Sequence, residues 1–349
     1  MECGGDPEAG NRIPLHTIAP ESSVMHCSSI RRLLCWWFPV AIAVASISSL
    51  PSAHAGSDAL LDALKQREDQ FPAFRIAWKV VRVEPGRSPV GFTTYEMLVE
   101  GDRFRIVRHV QGMVDPLRRA PTSFKNTFTD DGTVQHNFVS DFSDAKMTPT
   151  GNRSYTGRNG VLYASDDDVL PLLLYFRPEA KRLHRFDLSD VTVTPAENGQ
   201  TQIVSVAGNH KTLWQSAAPF GLVQWQFMPP ESQVKYDRWL VTMDYAPAST
   251  AFGDRSDAVI PVGFKVQCTT PDGQIRWNKE VKVTAYSSSP SVPADSFVID
   301  YPEGTPVING DDPEQTFVVR ADKTFRSVSP NDRKKYKSWL ERARAPVAP

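Results

Sequence analysis

Four glycine turns, each set between alternating apolar and polar segments, constrain this chain more than any other feature. Glu100-Gly101-Asp102 separates residues 92–99 from 103–109, and Asp130-Asp131-Gly132 separates 124–129 from 133–139. Glu197-Asn198-Gly199 separates 191–194 from 201–207, and Pro271-Asp272-Gly273 separates 262–269 from 274–286. Glycine adopts the left-handed conformation of a tight connection without a steric penalty, so each turn predicts a hairpin. Residues 74–80 add another strand, with Phe74, Ile76, Trp78 and Val80 on one face and Arg75, Ala77 and Lys79 on the other. Residues 211–214, 223–228 and 239–245 continue the series. No βαβ alternation interrupts it, so the pattern predicts a mainly β chain with one large antiparallel sheet.

Helical spacing appears in three places. Ser57 can cap a helix through Leu60, Leu61, Leu64 and Glu68 to about Gln70, which Pro72 ends. Asp166-Asp167-Asp168 precedes the apolar run 169–176, a short helix that must be buried or must cover something apolar. Those aspartates could bind a cation or face the backbone N–H groups at the helix start. Residues 309–313 read as a loop ending a main domain, and Phe317-Val318-Val319 can add a strand. Residues 330–342 suggest a basic amphipathic helix, followed by a disordered Pro/Ala tail.

Near the start, Arg31 and Arg32 precede an uncharged apolar stretch that leads into Ala53-His54-Ala55 and Gly56. Charge, apolar run and A-x-A site in that order predict a cleavable secretory signal cut after Ala55. The alternative, a retained anchor, is weakened by Pro39 and several serines. A lipid-anchored signal needs Cys after the cut, where this sequence has Gly56. The expected organisation is therefore 1–55 removed, 56–312 a main domain, and 313–349 a C-terminal strand, basic helix and tail. The expected location is the periplasm.

Residues 56–349 carry 36 Lys and Arg against 36 Asp and Glu, a balance that argues against nucleic acid as a partner. The same balance argues against an anionic membrane as the main partner. Cys268 alone remains after cleavage, so disulfides do not stabilise the fold, and it reads as a small buried apolar residue. His109, His136, His184 and His210 are scattered without metal-ligand spacing, so no metal or cofactor is expected. G-x-S-x-G, H-E-x-x-H and glycine-rich phosphate loops are absent, and no enzyme is expected. Acidic pairs such as Asp130/Asp131 and Asp237/Asp244 are explained by turns and solvated strand faces.

A helix followed by hairpins resembles the LolA/LolB-like superfamily of periplasmic lipoprotein carriers. The likeness is carried by the helix before Phe74-Arg75-Ile76-Ala77-Trp78, by Glu100-Gly101-Asp102-Arg103-Phe104-Arg105, and by Thr129-Asp130-Asp131-Gly132-Thr133. Late in the chain, Phe297-Val298-Ile299-Asp300-Tyr301-Pro302-Glu303-Gly304-Thr305-Pro306-Val307 is similar to the ending of exported LolA-like proteins, planctomycete-type ones especially. The chain is longer than a typical carrier, with extra material around residues 110–123 and 140–190.

The resemblance implies an incomplete antiparallel β-barrel, a LolA-like half-barrel with a helical lid enclosing an apolar cavity. Candidate cavity residues are Phe74, Trp78, Leu98, Phe104, Leu172, Leu173, Phe176, Trp225, Phe227 and Trp239. The family's buried arginine, which helps hold the carrier closed, maps to Arg103 or Arg105. The implied partner is a lipid or lipidated protein, carried or sensed by a monomer in the cell envelope. An alternative is an interaction module with a filled cavity that binds another envelope protein, such as an envelope membrane protein.

Overall fold

Alternation of buried and more exposed side chains shapes the central strand at residues 73–83. The computed structural model describes residues 54–86, 89, 91–114, 121–144, 147–155, 168–180, 183, 186–206, 210–227, 238–312 and 314–346. The expected signal segment up to residue 53, Asp166, Asp167, His184, Asp237 and the tail after residue 346 lie outside them. From Pro51 to Pro349 the chain forms one unit.

Two short helices open it, α1 (His54–Lys65) and α2 (Arg67–Gln70). Ser57 lies inside α1 rather than capping it. Then β1 (Ala73–Val83), β2 (Phe92–Glu100), β3 (Arg103–Val114), β4 (Pro121–Asp130), β5 (Val134–Ser140) and β6 (Thr150–Tyr155) run as an antiparallel meander. A crossover containing α3 (Leu170–Phe176) leads to a second meander. Its strands are β7 (Val191–Ala196), β8 (Gln200–Ser205), β9 (His210–Gln215), β10 (Leu222–Phe227), β11 (Arg238–Pro247), β12 (Val259–Thr269) and β13 (Ile275–Ser287), with α4 (Ala248–Phe252) between β11 and β12. β1 pairs with β13, joining the two meanders at their centre.

The hairpin turns fall where the glycines predicted them; Gly101, Gly132, Gly199 and Gly273 all have positive φ. Three late strands extend the sheet: β14 (Pro306–Asn309), β15 (Thr316–Val319) and β16 (Phe325–Ser327). β14 pairs in parallel with β6, so the sheet runs from β16 through the joined meanders to β7 without closing. It is an incomplete, mostly antiparallel β-barrel.

One face of this sheet carries the main core. Phe74, Ile76, Trp78 and Val80 alternate into it from β1, joined by Tyr95, Met97 and Val99 from β2 and by Phe264 and Val266 from β12. α1 packs over β7 and β8, and every residue of α3 is buried in the same core. Cys268 is buried there as a small apolar group.

The opposite face carries a smaller core of Phe138, Tyr301, Val307 and Val319. Gly151 permits that layer, since a Cβ there would lie 2.7 Å from the Tyr301 ring and 2.9 Å from Val307. The C-terminal helix expected over 330–342 is instead two helices, α5 (Pro330–Lys335) and α6 (Trp339–Arg344). Each begins with its own capping box, Ser329 with Asp332 and Ser338 with Glu341. Tyr336 between them is extended, because the second cap requires its own non-helical entry.

Candidate functional site

The inner face of the sheet and the helices laid across it form the candidate site. α3 crosses this face with an all-apolar sequence, so burying it is strongly favourable, and aromatic rings hold it. Phe176 stacks on Phe74 with ring centroids 4.5 Å apart and meets Phe71 edge-on at 5.1 Å. Tyr175 lies 5.4 Å from Tyr245.

Polar ties fix both ends of α3. At its start, Asp168 accepts from Lys279 Nζ at 2.6 Å and from Tyr95 OH at 3.0 Å, while Trp78 Nε1 donates to its backbone carbonyl at 3.1 Å. Trp78 and Tyr95 are stacked at 5.0 Å beneath it. The cation at Asp168 is thus a lysine, and the carboxylate faces side chains rather than capping the helix. At the other end Arg177, 3% exposed, donates to the carbonyls of Glu68, Phe176 and Phe71 at 3.2, 3.1 and 2.7 Å. Arg67, 2% exposed, reaches from α2 to the carbonyls of Pro219 and Phe220 at 2.9 and 3.0 Å, with its guanidinium 4.4 Å above the Tyr175 ring. Burial pushes the Tyr175 phenol above its usual pKa, and Arg67 partly offsets this.

Of the expected cavity residues, Phe74, Trp78, Phe104, Leu172, Leu173, Phe176 and Trp225 come together in this core, and Trp239 packs against it half-buried. The register sets Phe227 opposite Trp239. Leu98 lies on the other face of β2, because Met97 and Val99 take the inner positions. Phe74, Leu172, Leu173 and Phe176 are fully buried on the inner face.

Arg103 and Arg105 also point outward, as they must once Phe104 points in. Arg103 pairs with Glu100 and lies 4.8 Å above the Phe297 ring, and Arg105 donates to the Ser296 carbonyl at 3.0 Å. They hold the segment leading to β14, whereas the arginines that hold the helices are Arg67 and Arg177. A sequence signal for Arg67 existed: Leu60, Leu64 and Arg67 share one helical stripe.

A concavity of about 440 Å³ opens on the outer layer, lined in part by His136, Phe297, Ile299, Tyr301, Lys323 and Phe325. Burial and the nearby Arg153 charge lower the His136 pKa to about 4, and Nδ1 lies 3.3 Å from Tyr301 OH. Among the described residues no three His, Cys, Asp or Glu side chains are grouped to hold a metal.

No family model and no curated protein matches the chain. Solved structures do. One is a LolA superfamily protein from Nitrosomonas europaea, with 10% identity and a TM-score of 0.38 over 70% of this chain and 99% of that one. An outer membrane lipoprotein-sorting protein domain from Vibrio parahaemolyticus shares 12% identity over 71% of this chain and 97% of that one, with a TM-score of 0.41. The MucA/MucB complex of Pseudomonas aeruginosa matches at 14% identity over 78% of this chain and 74% of that one, with a TM-score of 0.21. The roles of Arg67, Arg177 and Asp168 rest on the geometry above.

Proposed function

We propose that this chain is an exported half-barrel protein that binds a lipid, or the acyl chain of a lipoprotein, on its inner face, as a carrier or sensor in the cell envelope. The observation that carries this reading is α3: an entirely apolar helix on the inner face, tied at its ends by Asp168 and Arg177. Such a segment can exchange places with another apolar group of similar area. An acyl chain gains about 0.8 kcal/mol per buried methylene, so a sixteen-carbon chain gains on the order of 12 kcal/mol, which offsets the apolar burial that α3 gives up when it moves. The closed, filled face is then the unloaded state. No helix among the described residues is long and apolar enough to cross a membrane.

Mass spectrometry of protein purified gently from its native envelope tests the reading. A co-purifying lipid or acylated peptide is the expected result. Lipid-free protein that also ignores fluorescent fatty acid would overturn it.

The complete burial of α3 favours a second reading, an interaction module whose filled core only scaffolds an outer binding surface. Cross-linking to one envelope protein, unchanged by larger side chains in the inner face, is its signature.

A further inference from the structure

We infer that α5 and α6 form a docking surface for anionic membrane headgroups. Residues 330–346 contain six Lys and Arg, namely Arg333, Lys334, Lys335, Lys337, Arg342 and Arg344, against Asp332 and Glu341. Both carboxylates are already engaged. Asp332 takes up Arg326 at 2.8 Å and the Ser329 N–H and hydroxyl, while Glu341 accepts from the backbone N–H groups of Lys337 and Ser338. Three of the cations are also engaged: Arg344 with Glu303, Arg342 with the Tyr336 carbonyl, and Arg333 with Thr316. Lys334, Lys335 and Lys337 remain exposed within a span of four residues, with only the Tyr336 ring beneath Lys335.

Aromatic and aliphatic side chains interleave with these lysines. Tyr336 and Trp339 are half-buried, and Leu340 is 40% exposed. Trp339 packs inward on the core beneath, with Arg342 4.3 Å over its ring. The surface offered is therefore three lysines beside the exposed Leu340, a match for a lipid interface where the ammonium meets phosphate. An acidic protein surface would satisfy the charges but leave Leu340 unexplained.

The surface is also held in place. Arg320 donates to the carbonyls of Ala343 and Ala345, and Val318, Val328 and Ala343 form a small core beneath it. The balanced charge of the whole chain argues against a membrane as the main partner, but screening confines electrostatic attraction to about 10 Å, so three local lysines still provide a weak secondary contact. Attraction of this size is reversible, and it holds whether or not the inner face carries an acyl chain.

Sedimentation of lipid-free protein with vesicles tests the inference independently of cargo. Vesicles containing phosphatidylglycerol should retain the protein at low salt, pure phosphatidylcholine vesicles should not, and 0.5 M salt should release it. Replacing all three lysines (Lys334→Gln, Lys335→Gln, Lys337→Gln) should lower the partition coefficient at least tenfold with unchanged melting temperature. Leu340→Ser should lower it by a smaller factor. Equal binding to neutral vesicles, an unaffected triple variant, or cross-links from these lysines to an acidic protein without any vesicle binding would overturn it.

Discussion

Arg177 Nη2 lies 2.7 Å from the carbonyl oxygen of Phe71, which ties the end of α3 to the turn that enters β1. Two more carbonyls accept from the same guanidinium, so backbone dipoles help to neutralise a buried cation. Removing it takes this donor from the Phe71 and Phe176 carbonyls, while the Glu68 carbonyl keeps the Phe71 N–H. Arg177→Ala should destabilise the fold by about 3 kcal/mol, with Arg177→Lys intermediate because a lysine cannot span the fork. Urea unfolding of the three proteins checks the order.

The ion pair at the other end should behave differently. Asp168→Asn keeps an acceptor for Tyr95 but leaves Lys279 without its carboxylate, at a cost of about 2–3 kcal/mol. Adding Lys279→Met should recover much of that loss. A double-mutant cycle measures the coupling, and additive losses would show that the pair contributes nothing as a pair.

Two histidines make the fold acid-sensitive. Burial lowers His210 to about 4, and burial with the Arg153 charge lowers His136 to about 4, from the usual 6.5. The folded state therefore keeps both neutral where the unfolded chain takes up protons. Their contribution is fully present above pH 6.5 and is lost as pH falls toward 4, on the order of 2 kcal/mol each once partial solvent exposure is allowed for. Melting temperatures at pH 7, 6, 5 and 4.5 should fall, and His136→Gln with His210→Gln should flatten the slope above pH 5.

Gly151 tests the outer layer. Gly151→Ala places a methyl group against Tyr301 and Val307, with an expected cost of about 1–3 kcal/mol. Limited proteolysis should then cut first within residues 296–327, while near-ultraviolet dichroism from the inner aromatics is retained.

Much of this arrangement was legible in the residues. Period-two burial and the glycine turns located the hairpins, because each depends only on local chain geometry. The burial of α3 followed from its lack of any polar face. Leu98 was misplaced because Met97-Leu98-Val99 is apolar on both faces, and only Tyr95 and Met97 set the phase. Arg67 and Arg177 were missed for another reason: their acceptors are backbone carbonyls, which leave no complementary residue to find. The pairing of β14 with β6 joins segments about 150 residues apart, and no local pattern announces it. By contrast, the split into α5 and α6 was written in two Ser-x-x-acid boxes.

Titration with a fluorescent fatty acid, comparing the wild-type chain with Asp168→Asn, tests the central claim most directly. If α3 is a displaceable plug, the wild-type protein binds saturably, and loosening one tie raises apparent affinity at least threefold by enlarging the open fraction. Absence of saturable binding in both proteins would contradict the account.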